Sequence, residues 1–215
     1  MTNAGTLVAA MTANTPLRDV INPTRIDRLM FVSSAIGLED VGRRITDTEH
    51  YQTLLARLLA QEGMPPFEFV VIDSPNQISP IMENAIFPTD IFVVPFEGTQ
   101  AVRSYANFFK LLISLRPGID YKTLHVLNRL SHQPGLRKAV LEAMQAEGLA
   151  IARTEIRNDG WLARVSEYGG SIFHFRPHSN GAVDILALAE EVLGELGMAP
   201  ATATAVSESP ATIAS

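Results

Sequence analysis

The chain has 215 residues, 47% of them hydrophobic, which allows one sizeable packed core and excludes a disordered, low-complexity protein. It has no cysteine, so disulfides, thiolate zinc sites and cysteine nucleophiles are excluded. Seventeen basic against 23 acidic residues leave a net charge of −6 and no global pull toward nucleic acid or acidic lipid, although 14 of the basic residues are arginines, whose planar fork suits local phosphate contacts.

Met1–Met11 carries no positively charged stretch of the kind that opens a signal peptide, and every apolar run ends well short of the ~20 residues that span a bilayer. Together with the missing cysteines, this reads as a cytoplasmic protein with no membrane partner. Thr15–Ile21 predicts a short helix, with Thr15 as N-cap and Pro16 at the first helical position, stopped by Asn22-Pro23. Leu29–Ser34 predicts a buried strand. Glu39–Gln61 predicts one long helix, because Val41, Ile45, Leu54, Leu55, Leu58 and Leu59 recur at roughly helical spacing and Gly63 with Pro65-Pro66 terminates it.

Phe67–Asp73 is the strongest strand candidate in the chain: apolar, β-branched and ending on a carboxylate. A helical stretch to Ile86 follows, then a strand over Asp90–Pro95, a helix over Thr99–Leu115, a strand over Leu124–Asn128 and a helix over Gly135–Glu147. Ala150–Thr154 predicts a short strand, Trp161–Tyr168 a short helix, Ile172–Phe175 a last strand and Ala182–Leu196 a closing helix. Strands and helices alternate, and the strands are apolar throughout rather than every second residue. That pattern predicts a parallel sheet covered by helices on both faces, a three-layer α/β/α domain over 1–197. The Ala/Thr/Ser/Pro-rich stretch 198–215 is expected to be a disordered tail.

Ligands of open parallel sheets bind outside the carboxyl ends of the strands, so the polar residues there come first: Ser33-Ser34, Asp73, Pro95-Phe96-Glu97 and Asn128-Arg129. Asp73 after four apolar residues fits either a magnesium-side carboxylate acting through water or a turn-forming cap. Asn128-Arg129 either contacts a ligand or ends a strand. The five histidines show no metal-ligand spacing, and no Gly-x-Ser-x-Gly elbow surrounds Ser33-Ser34. His174, between two phenylalanines, is expected to be a packed structural residue. Trp161 is expected to be a core residue, with an interface anchor as the other role.

The run Phe-Glu-Phe-Val-Val-Ile-Asp-Ser-Pro-Asn at 67–76, followed by Asp-Ile-Phe-Val-Val-Pro-Phe-Glu at 90–97, resembles the ParA/MinD family of deviant Walker ATPases. In that family a strand ending in Ile-Asp-(Ser/Thr/Cys)-Pro-Pro precedes a helix and a strand of the type Ala-Asp-x-Val-Leu-Val-Pro; Asn76 departs from the second Pro. Leu17–Ile21, Leu29–Leu38, Val126–Arg129, Thr154–Asn158 and Pro177–Ala182 resemble further family segments in the same order, so the likeness covers roughly 15–196. The resemblance implies a P-loop NTPase-like fold and places Asp73 on the magnesium and water side. It places Asn128, Arg129 and Pro177 around the adenine of ATP. Through the partition branch it implies a dimer, non-specific DNA binding and a ParB-like partner, with Arg137, Lys138, Arg153, Arg157 and Arg164 as DNA-contact candidates or ordinary solvated surface. At 158–160 the chain reads Asn-Asp-Gly where the family commonly has Asn-Val-Arg. The last helix is not strongly basic, unlike the membrane-targeting helix of the MinD branch.

The family's opening Lys-Gly-Gly-x-Gly-Lys-(Thr/Ser) loop, whose backbone N–H groups and lysines hold phosphates, has no counterpart in the 215 residues, and the three lysines, Lys110, Lys122 and Lys138, lie in no glycine loop. The fold is therefore expected to be N-terminally truncated. The chain is expected to be a ParA-like partitioning or cargo-positioning ATPase domain unable to bind or hydrolyse ATP by itself. The alternative is a non-catalytic module that pairs with a full-length homologue or another partner.

Overall fold

The computed structural model describes residues 5–34, 38–46, 49–75, 77–118, 122–130, 132–168 and 170–198. Its organising unit is a pair of parallel strands, Ile91–Phe96 and Lys122–Leu127, with Ile91 opposite Lys122 and Phe96 opposite Leu127. They are called β3 and β4, because two short strands precede them. The segment 151–156 runs parallel along the other edge of β4 through bridges at His125–Ile151 and Asn128–Ile156. Alternation along β4 then divides the layers. Leu127 packs with Phe96 against Val102, Tyr105, Val140 and Met144, whereas Leu124 and Val126 pack with Ile156 against Leu162, Ile185, Leu188 and Val192. The first face is covered by helices α5 (Thr99–Leu115) and α6 (Pro134–Ala146), the second by α7 (Gly160–Tyr168) and α9 (Asn180–Glu195). This is the expected α/β architecture with helices on both faces, and the predicted helices at 99–115, 135–147 and 161–168 lie within a residue of the observed ones. The predicted closing helix starts two residues earlier, where the Ser179 hydroxyl accepts from the Ala182 N–H.

The front half departs more. Met1–Ala13 shows little pattern in sequence, yet Leu7–Thr12 forms α1, whose Val8, Ala10 and Met11 share a core with Leu17, Val20, Val41, Ile45 and Leu58. Thr15 is not a cap: Leu17–Val20 is a 3-10 turn that follows Pro16 without a side-chain cap bond. The expected buried strand at 29–34 is a surface hairpin. Asn22–Pro23 (β1) pairs antiparallel with Met30–Phe31 (β2), and Phe31 stays 60% exposed. Local turn chemistry decides this: the Thr24 hydroxyl donates to Ile26 and Leu29 carbonyls, and Arg28 takes a left-handed φ of 60°. The single helix expected over 39–61 is broken. Leu38–Ile45 (α2) and Leu54–Leu59 (α3) are separated by a left-handed His50, φ 58°, and a 3-10 turn at Tyr51–Thr53.

The segment 67–73, the strongest strand candidate, is no strand. It makes no ladder bonds among the described residues, and Phe69, Val70 and Val71 are exposed, Val71 to 91%. Composition supplies propensity but no hydrogen-bonding neighbour, and no described strand forms a ladder with it. The helix Pro80–Ile86 (α4) follows it, and β3 pairs with β4 alone among the described residues. Ile172–Phe175 is likewise not a strand but one helical turn, α8, started by the Ser171 hydroxyl accepting from the Phe173 N–H. Four apolar residues do not distinguish strand from helix by period, and this turn packs on α7 and α9. Residues 199–215, most of the expected disordered tail, and Asn76 lie outside the described residues.

Candidate functional site

The carboxyl ends of β3 and β4 bring Glu97, Asn128 and Arg129 together. Asn128 stays in register through its N–H to the Phe96 carbonyl, and its Nδ2 donates to Glu97 Oε1 at 2.7 Å. Arg129 turns out of the ladder with φ 61°, its N–H donating to the Ile156 carbonyl at 2.8 Å and its guanidinium 4.0 Å from Glu97. That backbone bond ties the end of β4 to the segment 156–160, so Asn128 and Arg129 sit in one region with the 158–160 turn.

The same turn is bound to the start of α9. Asp159 accepts from the N–H groups of Trp161 at 2.7 Å and Gly181 at 2.7 Å. Burial pushes its carboxyl up, but these N–H donors, with Leu162 N–H and the Ser179 hydroxyl, outweigh burial and hold it below the usual carboxylate range. Gly181 is needed for the approach: a methyl there would overlap Leu162 and come within 3.1 Å of the Asp159 Cβ. Pro177, two residues before the Ser179 cap, is thereby carried to the same end of the sheet, and it is exposed. The Asn-Asp-Gly departure from the family pattern is thus occupied by a structural staple joining α7 and α9.

Helix α9 also closes the outer edge of the 151–157 segment with side chains. Glu191 accepts from the Arg153 and Thr154 N–H groups at 2.8 and 2.9 Å. One face-length earlier, Asp184 accepts from the Arg157 N–H at 2.9 Å and takes its guanidinium with both oxygens. Both carboxylates are buried. Burial raises the Glu191 carboxyl, yet the bonds from Arg153 and Thr154 hold it below its ordinary value. Sequence reading missed Asp159, Asp184 and Glu191. The seven-residue spacing of the last two, which puts both on one helix face, was the available signal.

The five DNA-contact candidates do not form one free cationic surface. Arg137 pairs with Glu155 at 3.0 Å, Arg164 with Glu167 at 2.9 Å and Arg157 with Asp184 at 2.7 Å. Asp184 raises the pKa of the Arg157 guanidinium further. Lys138 and Arg153 are the most exposed, 78% and 83%, in loose contacts of 3.8 and 3.7 Å with Glu142 and Glu191. Arg176 lies over the half-exposed Trp161 ring at 4.2 Å, so Trp161 is a surface platform rather than a core residue. His174 is exposed, contrary to the packed role expected of it, because its turn is helical and only Ile172 points inward. Asp73 is exposed at the end of its unpaired segment, and the described residues contain no cluster of three or more His or carboxylate groups arranged to hold a metal ion. No described helix is long and apolar enough to cross a membrane.

No protein-family profile matches the chain. Relatives do. It is 27% identical over 203 residues to the cell division protein PomZ of Myxococcus xanthus, covering 92% of this chain and 63% of PomZ. It is 27% identical over 150 residues to the chromosome-partitioning ATPase Soj of Thermus thermophilus, covering 67% of this chain and 59% of Soj. An ATP complex of McdA from Cyanothece superposes with a TM-score of 0.72 at 18% identity, covering 93% of this chain and 78% of McdA.

The chain is thus similar to ParA/MinD-type ATPases in sequence and shares their P-loop NTPase-like fold. It spans about three fifths of the length of the curated relatives it matches, 63% and 59%. Asn128, Arg129 and the start of α9 are linked through the 156–160 turn, by the Arg129–Ile156 and Asp159–Gly181 bonds. The three lysines are Lys110, Lys122 and Lys138, none in a glycine loop, and Asp73 ends a segment that makes no ladder bonds among the described residues.

Proposed function

We propose that this chain is a ParA-like partitioning or cargo-positioning domain that carries the base side of a nucleotide site but, as a 215-residue polypeptide, has no grip on the triphosphate. The observation that carries the reading is the convergence of the β3 and β4 ends with the 156–160 turn and the start of α9, held by the Arg129–Ile156 and Asp159–Gly181 bonds. Phosphoryl transfer depends on positioning and on charge stabilisation around the phosphates. Base contacts and one exposed carboxylate supply neither, so no hydrolytic step is derived for this chain. Calorimetric titration with Mg-ATP tests it. No saturable heat at micromolar nucleotide is expected, and micromolar affinity overturns it.

A second reading, a module that pairs with a homologue, is favoured by two observations: the apolar run Phe69–Val71 is exposed, and among the described residues β3 pairs on one side only, with β4. Light scattering with and without a full-length family member checks that reading. A DNA- and ParB-like-partner role, with dimerisation, belongs to the same proposal, and Lys138 and Arg153 are its most accessible cations.

A further inference from the structure

Two stretches of this chain have the chemistry of a strand and no ladder to use it in. The first is the outer edge of β3. The Asn128 N–H donates to the Phe96 carbonyl, so Phe96, Val94 and Phe92 turn their backbone groups toward β4. Alternation turns those of Ile91, Val93 and Pro95 the other way, and no described strand pairs there. Pro95 has no N–H, so the edge offers two donors, Ile91 and Val93, and three carbonyls. Pro95 apart, nothing on it blunts pairing: 91–96 holds no charged residue. Its side chains pack as those of an inner strand do. Ile91 joins the core under α7 and α9, while Val94 and Phe96 join the core under α5 and α6.

The second stretch is 67–72, Phe-Glu-Phe-Val-Val-Ile. From 68 to 72 no backbone N–H or carbonyl is bonded among the described residues, and the apolar side chains at 69–71 face water. Its one charge, Glu68, is met within the chain by Arg28 at 3.2 Å. The open edge and the open segment match in length and apolar character, yet within one chain they do not pair with each other. We propose that two copies of this chain associate by strand exchange, the 67–72 segment of each adding to the outer edge of β3 in the other. The inference deepens the pairing reading above by naming its occupant, a second copy of this chain. Each copy carries one segment to give and one edge to receive, so exchange in both directions closes a two-fold dimer. Pairing meets backbone groups of both stretches and takes the side chains at 69–71 out of water.

Sedimentation velocity of the 215-residue chain, from about 1 to 100 μM, reads the association. Wild type is expected to dimerise in that range. V71K puts a charge on a side chain that is 91% exposed in the single chain, so the fold is kept and the dimer is expected to weaken at least about tenfold. V93K, on the receiving edge, does the same, and L186K, at another exposed apolar position, leaves the dimer unchanged. The chain has no cysteine, so single thiols report on contacts between copies. In at least one mixture of a V93C chain with an F69C, V70C or V71C chain, the mixed disulfide forms faster than either chain links to itself. A chain that stays monomeric throughout the range overturns the proposal, and so does a dimer that V71K and V93K leave as tight as wild type. V93C linking fastest to itself marks edge-to-edge pairing and overturns it as well. If the monomeric chain still binds a full-length family member, the pairing reading stands without strand exchange between copies; if it binds neither, both fall.

Discussion

Replacing Glu191 by Ala removes the acceptor for two backbone N–H groups at the sheet's outer edge, those of Arg153 and Thr154 at 2.8 and 2.9 Å. Each bond is charge-assisted and Glu191 itself is 6% exposed, whereas the Arg153 side chain is open to water that reaches one stranded N–H. Bonds to charged groups are worth about 1.5–3 kcal/mol each, and taking the lower end for both gives a loss of about 3 kcal/mol. At a urea slope of about 2 kcal/mol per molar, the midpoint falls by about 1.5 M with the slope unchanged. Glu190→Ala is the control: same helix, same change of charge, exposed side chain, and an expected effect within about 0.5 kcal/mol. E191Q keeps one acceptor oxygen and falls between the two. The pH dependence has a definite sign. Because the folded protein holds the Glu191 carboxyl below its ordinary value, its contribution is present above that value and is lost as pH falls through the folded pKa. The gap between wild type and E191A therefore narrows in acid. Equal urea midpoints for E191A and E190A refute the edge-closing role.

Gly181→Ala drives a methyl into Leu162 and loosens the Asp159 staple, so a loss of about 1–3 kcal/mol is expected in the same urea assay. His125 is buried with Nδ1 bonded to the Ala150 carbonyl and Nε2 unpartnered among the described residues; burial lowers its pKa. Neutral in the fold and protonated more readily when unfolded, it makes stability fall as pH drops below 6.5, and His125→Phe flattens that part of the pH profile. Non-specific duplex binding is expected to weaken with salt, and the K138A–R153A double variant to reduce the salt slope by up to about 0.9 per lost phosphate contact. Arg157→Ala, which frees Asp184, lowers the thermal midpoint and leaves the slope unchanged, as a fluorescence anisotropy titration across salt concentrations reads out.

The back half of the fold was legible in the sequence because its signals are redundant there. Phe92, Val94 and Phe96 and the long amphipathic α5 agree with each other and with their neighbours. The front half was not, because local pattern does not say who the neighbour is. Phe67–Ile72 has the composition of a central strand and no ladder partner among the described residues, while the apolar spacing of 39–61 survives a break at His50. Of the candidate site residues, Asn128 and Arg129 stand out in sequence by their place at a strand end, and Pro177 only by the family resemblance. Asp159 does not, since a carboxylate that serves backbone N–H groups looks, in sequence, like any solvated acid, and Asp184 and Glu191 are marked only by their shared helix face. Arg137, Arg157 and Arg164 read as a basic set, and folding pairs each with an acid.

The most direct measurement of the central claim is the ratio of ATP to adenosine affinity for this polypeptide, taken in one titration series with magnesium present. If the chain holds the base and not the phosphates, as proposed, the two affinities agree within a few-fold, a difference below about 1 kcal/mol. ATP binding a thousandfold more tightly than adenosine contradicts the account.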